Sequence, residues 1–371
     1  MRVIISGGGT GGHIYPALAI ADGLRLRHPT AEIVYAGTTN GLEYDIVPRA
    51  GYRFYAVSGA GLQRRITAGN LVAVWRAARG FAEAWTLVSH FKPDVVVGTG
   101  GYVCGPVVLA AVCKRVPTLI HEQNAFPGLT NRILSRFTSC TALTFGDAIR
   151  YLPPKARVRV TGLPVRPEVL GARREEARAY YGLDDIFTVV SFGGSRGART
   201  INEAMVEVCR VLKDEPAIRL YHVTGRAQYD AFLEALRGAR VSLAAAPNIT
   251  VAPYFYDIPR LLAAADLVVS RAGASTIAEI TALGLPSILV PYPFATGKHQ
   301  EHNARALVRR GAAVLVPDRE LTGNVLVRLI EELRQDVDRR QRMAQAARAL
   351  GKPDALERLL DIIDRLADRR S

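Results

Sequence analysis

At 371 residues the chain is too long for one ordinary core, and 49% hydrophobic with 22% charged residues excludes a disordered or fibrous protein. Its 48 lysines and arginines against 34 acidic residues give a formal charge of +14. Such a surface attracts polyanions, but no recognition motif supports nucleic acid as a partner. No apolar run is long enough to span a bilayer, so any membrane contact is expected to be peripheral. Cys104, Cys113, Cys140 and Cys209 lie far apart without a C-x-x-C pair and read as reduced thiols. No signal peptide is expected, because a core strand begins almost at once.

Short β-branched runs alternate with longer amphipathic stretches, the pattern of parallel α/β units. The first half predicts strands at Val3–Ser6, Glu32–Tyr35, Arg53–Val57, Val95–Gly98, Thr118–His121 and Thr141–Thr144. The second predicts Thr188–Ser191, Arg219–Val223, Ile249–Ala252, Leu267–Ser270, Ser287–Pro291 and Ala313–Val316. Helices are expected at Tyr15–Arg27, Leu71–His90, Ile201–Leu212 and Glu301–Arg310.

Each half opens with a strand, a glycine loop and a helix: VIISGGGTGGH at the start, VVSFGGSRGA near residue 190. The fold class expected is α/β, two Rossmann-like domains facing each other across a cleft. The domains are set at residues 1–163 and 164–353, and a charged helix at 354–371 is expected to pack back on the first.

The first loop contains Gly7-x-Gly9-x-x-Gly12, a formal dinucleotide fingerprint. A nicotinamide enzyme needs an acidic residue ending the second strand, but that strand runs Tyr35-Ala36-Gly37-Thr38, with no carboxylate before Glu43. The loop suits phosphate or sugar instead, since glycine permits close backbone approach and the next helix offers unpaired N–H groups. His13 follows directly; its imidazole could accept a proton from a hydroxyl, or merely cap the helix start.

The second loop, Gly98-Thr99-Gly100-Gly101-Tyr102-Val103-Cys104-Gly105-Pro106, adds backbone donors and one phenol. Glu122-Gln123-Asn124 continues the strand Thr118–His121, at the end where open α/β sheets place their sites. In the second half Ser195 could help cradle a diphosphate. Glu279, one turn into a helix after Arg271-Ala272-Gly273, could accept both ribose hydroxyls or be only a surface charge near a helix N-terminus. His299-x-x-His302 lacks companion ligands and Asp336-Val337-Asp338 lies in a charge-rich helical stretch, so no metal site is expected.

Six ordered motifs now stand together: GGTGGH, GTGGYVCGP, HEQN, GLPVR, GGSRGA and RAGASTIAE with GLPSILVPYP, running from residue 7 to about residue 303. Together they resemble the lipid-linked N-acetylglucosaminyltransferases of glycosyltransferase family 28. The resemblance implies a GT-B fold with the donor, UDP-GlcNAc, held mainly by the C-terminal domain. The implied acceptor is polyprenyl-linked lipid I, undecaprenyl-pyrophosphoryl-MurNAc-pentapeptide. Transfer to its MurNAc 4-hydroxyl, with inversion, would give lipid II for peptidoglycan synthesis, without a cofactor.

By the same resemblance Arg166 and Ser195 would contact the diphosphate and Glu279 the ribose, with Ala274, Ser275 and Thr276 lining the nucleotide. Uracil would meet main chain near Phe255. Gln300 would bind GlcNAc hydroxyls, with Asn124, Thr10, Gly11 and Gly12 completing the sugar site. His13, Tyr102 and Glu122 match positions tied to acceptor binding and catalysis. The displacement needs a base on the nucleophile and charge stabilisation on the departing diphosphate. His13 is the favoured base and Glu122 the alternative.

An enzyme with a polyprenyl acceptor must reach the bilayer. Ile66, Leu71, Trp75, Phe81 and Trp85, with Arg76 and Arg79 interleaved, suit an anionic membrane surface. A helix packed on its own sheet explains the aliphatic positions equally. Location is expected at the cytoplasmic face of the bacterial inner membrane, with other cell-wall synthesis proteins as further partners. The rival readings are a diacylglycerol glucosyltransferase, a UDP-GlcNAc epimerase, or a non-catalytic nucleotide-sugar-binding subunit.

Overall fold

The computed structural model describes residues 1–59, 68–194 and 197–368; between 68 and 76 it describes the side chain of Trp75 alone. The chain divides into two compact units. One is Met1–Pro164 with the segment from Pro353 onward, and the other is Val165–Lys352.

The first unit holds seven strands: β1 (Arg2–Gly7), β2 (Glu32–Gly37), β3 (Arg53–Ala56), β4 (Val95–Gly100), β5 (Thr118–Glu122), β6 (Cys140–Leu143) and β7 (Val158–Val160). They pair in parallel in the order β3-β2-β1-β4-β5-β6-β7. Val3, Ile4 and Ile5 of β1 and Val95, Val96 and Val97 of β4 have no exposed surface. Such unbroken β-branched runs belong to strands covered on both faces. One face packs on the helices Gly11–Arg27 and Ala355–Asp368, the other on Ala68–Phe91, Cys104–Cys113 and Leu129–Leu134.

The C-terminal helix belongs to this unit for a local reason. Gly23 leaves room on the helix Gly11–Arg27, where an added Cβ would sit 3.0 Å from Leu360. Beside that contact Arg27 pairs with Glu357, Asp361 and Asp364, and His28 Nε2 lies 2.8 Å from Asp364.

The second unit repeats the plan with β8 (Phe187–Phe192), β9 (Ile218–Val223), β10 (Ile249–Ala252), β11 (Leu267–Ser270), β12 (Ser287–Leu289) and β13 (Ala313–Leu315). Their order is β10-β9-β8-β11-β12-β13, again all parallel. In each unit the order reverses beside the first strand, between β1 and β4 and between β8 and β11. Loops diverge at such a switch point and leave a crevice at the carboxyl ends of the strands.

Two elements differ from the sequence reading. Strand β7 was not expected, because its Arg159 and Val160 are exposed and give no apolar run. The first helix begins at Gly11, four residues before Tyr15, since the glycine loop itself supplies the first helical turn.

Candidate active site

In the first unit the loops after β1 and β4 interlock. Gly8 N–H donates to Gly100 O at 3.3 Å, and Thr99 Oγ1 donates to His13 O at 2.8 Å. Gly101 has φ +83°, and a Cβ there would meet Gly8 O at 2.3 Å, so only glycine lets the two backbones approach this closely. The Tyr102 ring lies over Gly9, 3.2 Å from where a Cβ would stand.

His13, in the first turn of the helix, is half-buried. Its Nδ1 lies 3.0 Å from Thr99 O and 2.9 Å from Gln123 Oε1, while its Nε2 has no hydrogen-bond partner among the described residues. Gln123 in turn touches His121, whose Nε2 lies 2.9 Å from Gly162 O. His121 is fully buried, and burial pushes it down to about 4, so it is neutral at physiological pH.

Two carboxylates hold the loops. Glu43, fully buried, accepts from the N–H of Gly9 at 3.0 Å, the N–H of Thr38 at 3.1 Å and the Thr38 hydroxyl at 2.7 Å. It ties the glycine loop to the end of β2, where a dinucleotide enzyme would hold ribose. In sequence it stands too far beyond β2 to hold a ribose, and no local signal marks its bracing role.

Glu122 accepts four hydrogen bonds. Asn124 N–H (2.9 Å) and Nδ2 (3.3 Å) reach Oε1; Gly128 N–H (3.0 Å) and Asn131 Nδ2 (2.8 Å) reach Oε2. Its lone pairs are committed to ordering the turn from Asn124 to Asn131.

In the second unit the helix Ala274–Leu283 starts behind Gly273 with no side-chain cap. The N–H groups of Ala274, Ser275 and Thr276 precede the first intrahelical bond, and with the helix dipole they favour an anion. Arg166 Nε donates to Glu279 Oε1 at 2.7 Å, so two residues expected at diphosphate and ribose hold each other. Gln300 Oε1 accepts from Tyr292 N–H at 2.9 Å, which anchors its amide beside the loop after β12.

Gly197 closes the glycine loop at φ +75°, where a Cβ would meet Thr224 O at 2.2 Å; Ser195 lies outside the described residues. Phe255 is half-buried, edge-on to Tyr221 at 6.1 Å. Sequence reasoning missed Arg271. It donates to Val290 O (3.1 Å) and Pro291 O (3.3 Å) and pairs with Asp318, binding together the ends of β11, β12 and β13.

No helix among the described residues is long and apolar enough to cross a membrane. Trp75 is 61% exposed and Trp85 41%, with Arg79 near the first ring and Lys114 Nζ 3.9 Å from the second. Phe81, about two-thirds of a helical turn round from Trp75, packs against the core and against the Trp85 ring, with centroids 5.8 Å apart. Ile66 lies outside the described residues, as do the side chains of Leu71 and Arg76. Leu109, Leu129, Ile133 and Phe137 are exposed on the next two helices and the turn after them, an apolar set that sequence reading missed.

Two doubly wound parallel sheets, each with a glycine loop at its switch point, are the framework of the GT-B fold class, and such loops suit a phosphate-bearing ligand. The Glycosyltransferase family 28 N-terminal domain matches residues 3–143, and the Glycosyltransferase family 28 C-terminal domain matches residues 188–359. The chain belongs to glycosyltransferase family 28 and is a glycosyltransferase.

It is 59% identical over 370 residues, 100% of this chain and 99% of the relative, to the UDP-N-acetylglucosamine--N-acetylmuramyl-(pentapeptide) pyrophosphoryl-undecaprenol N-acetylglucosamine transferase of Desulforudis audaxviator. To the protein of the same name from Desulforamulus reducens it is 52% identical, over the whole of both chains. Among solved structures, MurG of Acinetobacter baumannii superposes with a TM-score of 0.79 at 29% identity, covering 98% of this chain and 99% of that one.

Proposed function

We propose that this chain transfers GlcNAc from UDP-GlcNAc to the MurNAc 4-hydroxyl of undecaprenyl-pyrophosphoryl-MurNAc-pentapeptide, inverting the anomeric carbon. The observation that carries this reading is the extent of the 59% identity, which spans both units. The similarity therefore takes in the first unit, which carries His13, Tyr102 and Glu122, as well as the second. An epimerase or a different lipid acceptor would share mainly the second set.

The division of labour follows from chemistry. His13 takes the proton of the attacking hydroxyl through Nε2, the nitrogen with no partner among the described residues. Glu122 is the poorer base, because accepting a proton would break bonds that order its turn. Tyr102 covers the glycine loop on the acceptor side, while Thr10, Gly11, Gly12 and Asn124 meet the sugar.

On the donor side, Glu279 accepts the ribose hydroxyls and Arg166, with Ser195, neutralises the diphosphate as it departs. The uncapped helix start at Ala274, Ser275 and Thr276 adds a partial positive charge. Phe255 main chain meets uracil and Gln300 the GlcNAc hydroxyls.

The exposed face around Trp75, Trp85, Leu109, Ile133 and Phe137 seats the first unit on anionic lipid at the cytoplasmic side of the bacterial inner membrane. There the enzyme meets its polyprenyl acceptor and the other proteins of cell-wall synthesis.

The test is transfer of labelled GlcNAc to a short-chain lipid I analogue with EDTA present, alongside UDP-glucose and a no-acceptor control. Product with UDP-GlcNAc alone supports donor, acceptor and metal independence together. Saturable UDP binding without product would overturn the acceptor assignment and leave the donor site.

A further inference from the structure

The amide of Gln123 is almost fully buried between two histidines, and its neighbours decide its orientation. Its nitrogen lies 2.8 Å from Thr99 O and 3.0 Å from His121 O. Both are carbonyl oxygens and can only accept, so the NH2 group must face them; reversed, the amide would set oxygen against oxygen. Oε1 is thereby turned toward His13 Nδ1, 2.9 Å away, and the same Nδ1 lies 3.0 Å from Thr99 O.

With an acceptor at each of these contacts, Nδ1 must carry the proton, and the neutral ring keeps its lone pair on Nε2. The far side agrees. Gly162 O can only accept, so His121 Nε2, 2.9 Å away, carries that ring's proton and leaves a lone pair on His121 Nδ1, 3.1 Å from Gln123 Nε2. One chain of donors thus runs from His13 through Gln123 and His121 to the backbone at residue 162.

We propose that Gln123 is a positioning residue that, together with Thr99 O, holds His13 in the Nδ1–H tautomer and so keeps Nε2 as the base toward the acceptor hydroxyl. This rests on the transferase reading above. The logic is that of a hydrolase triad, where a group behind the imidazole selects the useful tautomer, with a neutral amide here in place of a carboxylate. Because Gln123 touches neither reacting atom, its whole effect on rate passes through His13.

The experiment combines ring-15N histidine NMR with transfer kinetics on the full chain for wild type, Gln123→Met, His13→Ala and the Gln123→Met/His13→Ala double variant. Wild-type His13 is expected to show the Nδ1–H form. Gln123→Met leaves Thr99 O as the one acceptor for Nδ1 and should admit a fraction of the Nε2–H form, lowering kcat about 10-fold with the KM for UDP-GlcNAc nearly unchanged. Added to His13→Ala, the same substitution should cost less than about twofold more.

Additive losses, or an unchanged tautomer in a folded Gln123→Met, would overturn the proposal while leaving the transferase reading intact. A wild-type Nε2–H ring overturns it whichever variants fold. If wild type transfers nothing, the functional reading fails, and the NMR arm still decides the role of Gln123.

Discussion

Arg166 and Glu279 are 113 residues apart in sequence and joined in space, Nε to Oε1 at 2.7 Å, at the start of the second unit. The carboxylate is largely covered, the guanidinium half exposed. A nucleotide that takes the carboxylate for its ribose and the guanidinium for its diphosphate replaces this one ion pair with two separate charge-assisted contacts.

Loss of Glu279 should therefore act on donor binding. For Glu279→Ala we expect the Kd for UDP to rise about tenfold or more by calorimetry, with kcat at saturating donor changed far less. Arg166→Ala should lower kcat as well, because the charge on the leaving diphosphate grows in the transition state. Equal changes in both parameters for both variants would sink this division.

His13 and Glu122 separate by what fails. His13→Ala should lose about 10²- to 10⁴-fold in kcat and strand one buried acceptor, Gln123 Oε1, a smaller loss of stability than Glu122→Ala brings. Glu122→Ala strands the N–H groups of Asn124 and Gly128 and the Asn131 amide, at a cost of about 1–3 kcal/mol for each group left unpaired. Urea unfolding should show that loss directly. A fully stable Glu122→Ala with His13-like kinetics would instead make Glu122 the base.

Acid should destabilise the first and second units through one buried histidine each. Burial pushes His121 down to about 4 and His222 down to about 3, whereas a histidine in the unfolded chain titrates near pH 6.5. Below pH 6.5 the unfolded chain binds protons that the folded one does not, so stability falls with pH from there toward the folded values. Urea midpoints at pH 7 and pH 5 should differ in wild type, and the difference should shrink in His222→Phe, which keeps the contact with Phe232 without the titrating ring. An undiminished difference would rule His222 out as a source.

The lipid face can be read by vesicle flotation. Trp75→Glu and Trp85→Glu should weaken binding to vesicles containing anionic lipid, roughly tenfold for each indole replaced by a charge, with neutral vesicles bound poorly throughout. Phe81→Ala should lower stability, since that ring packs on the core, and weaken flotation less than either glutamate, since it supports Trp85 from the partly buried side. Binding that survives both glutamates would move the membrane contact to another surface.

What the sequence determined alone was the sheet framework and the identity of the loops. Runs such as Val3-Ile4-Ile5 and Val95-Val96-Val97 have one physical outcome in a chain of this composition, a strand buried on both faces. Glycines directly after them announce backbone that must approach something closely. His13 and Glu279 are legible as candidates because each adjoins such a loop or a helix start, whereas Arg166 is marked only by the family resemblance.

What only the tertiary structure decided were the partners. Glu43 reaches Gly9 across 34 residues, Gln123 reaches His13 across 110, and no local pattern encodes either contact. Strand β7 lies at an exposed edge, where little burial is available to leave an apolar run in the sequence. Trp75 and Phe81 look alike in sequence, and only the rotation of the helix sends one to solvent and the other to the core. Propensity and burial pattern act over a few residues and are written locally. A tautomer or a committed carboxylate depends on which acceptors and donors the folded chain brings within 3 Å or so, and that is set by topology.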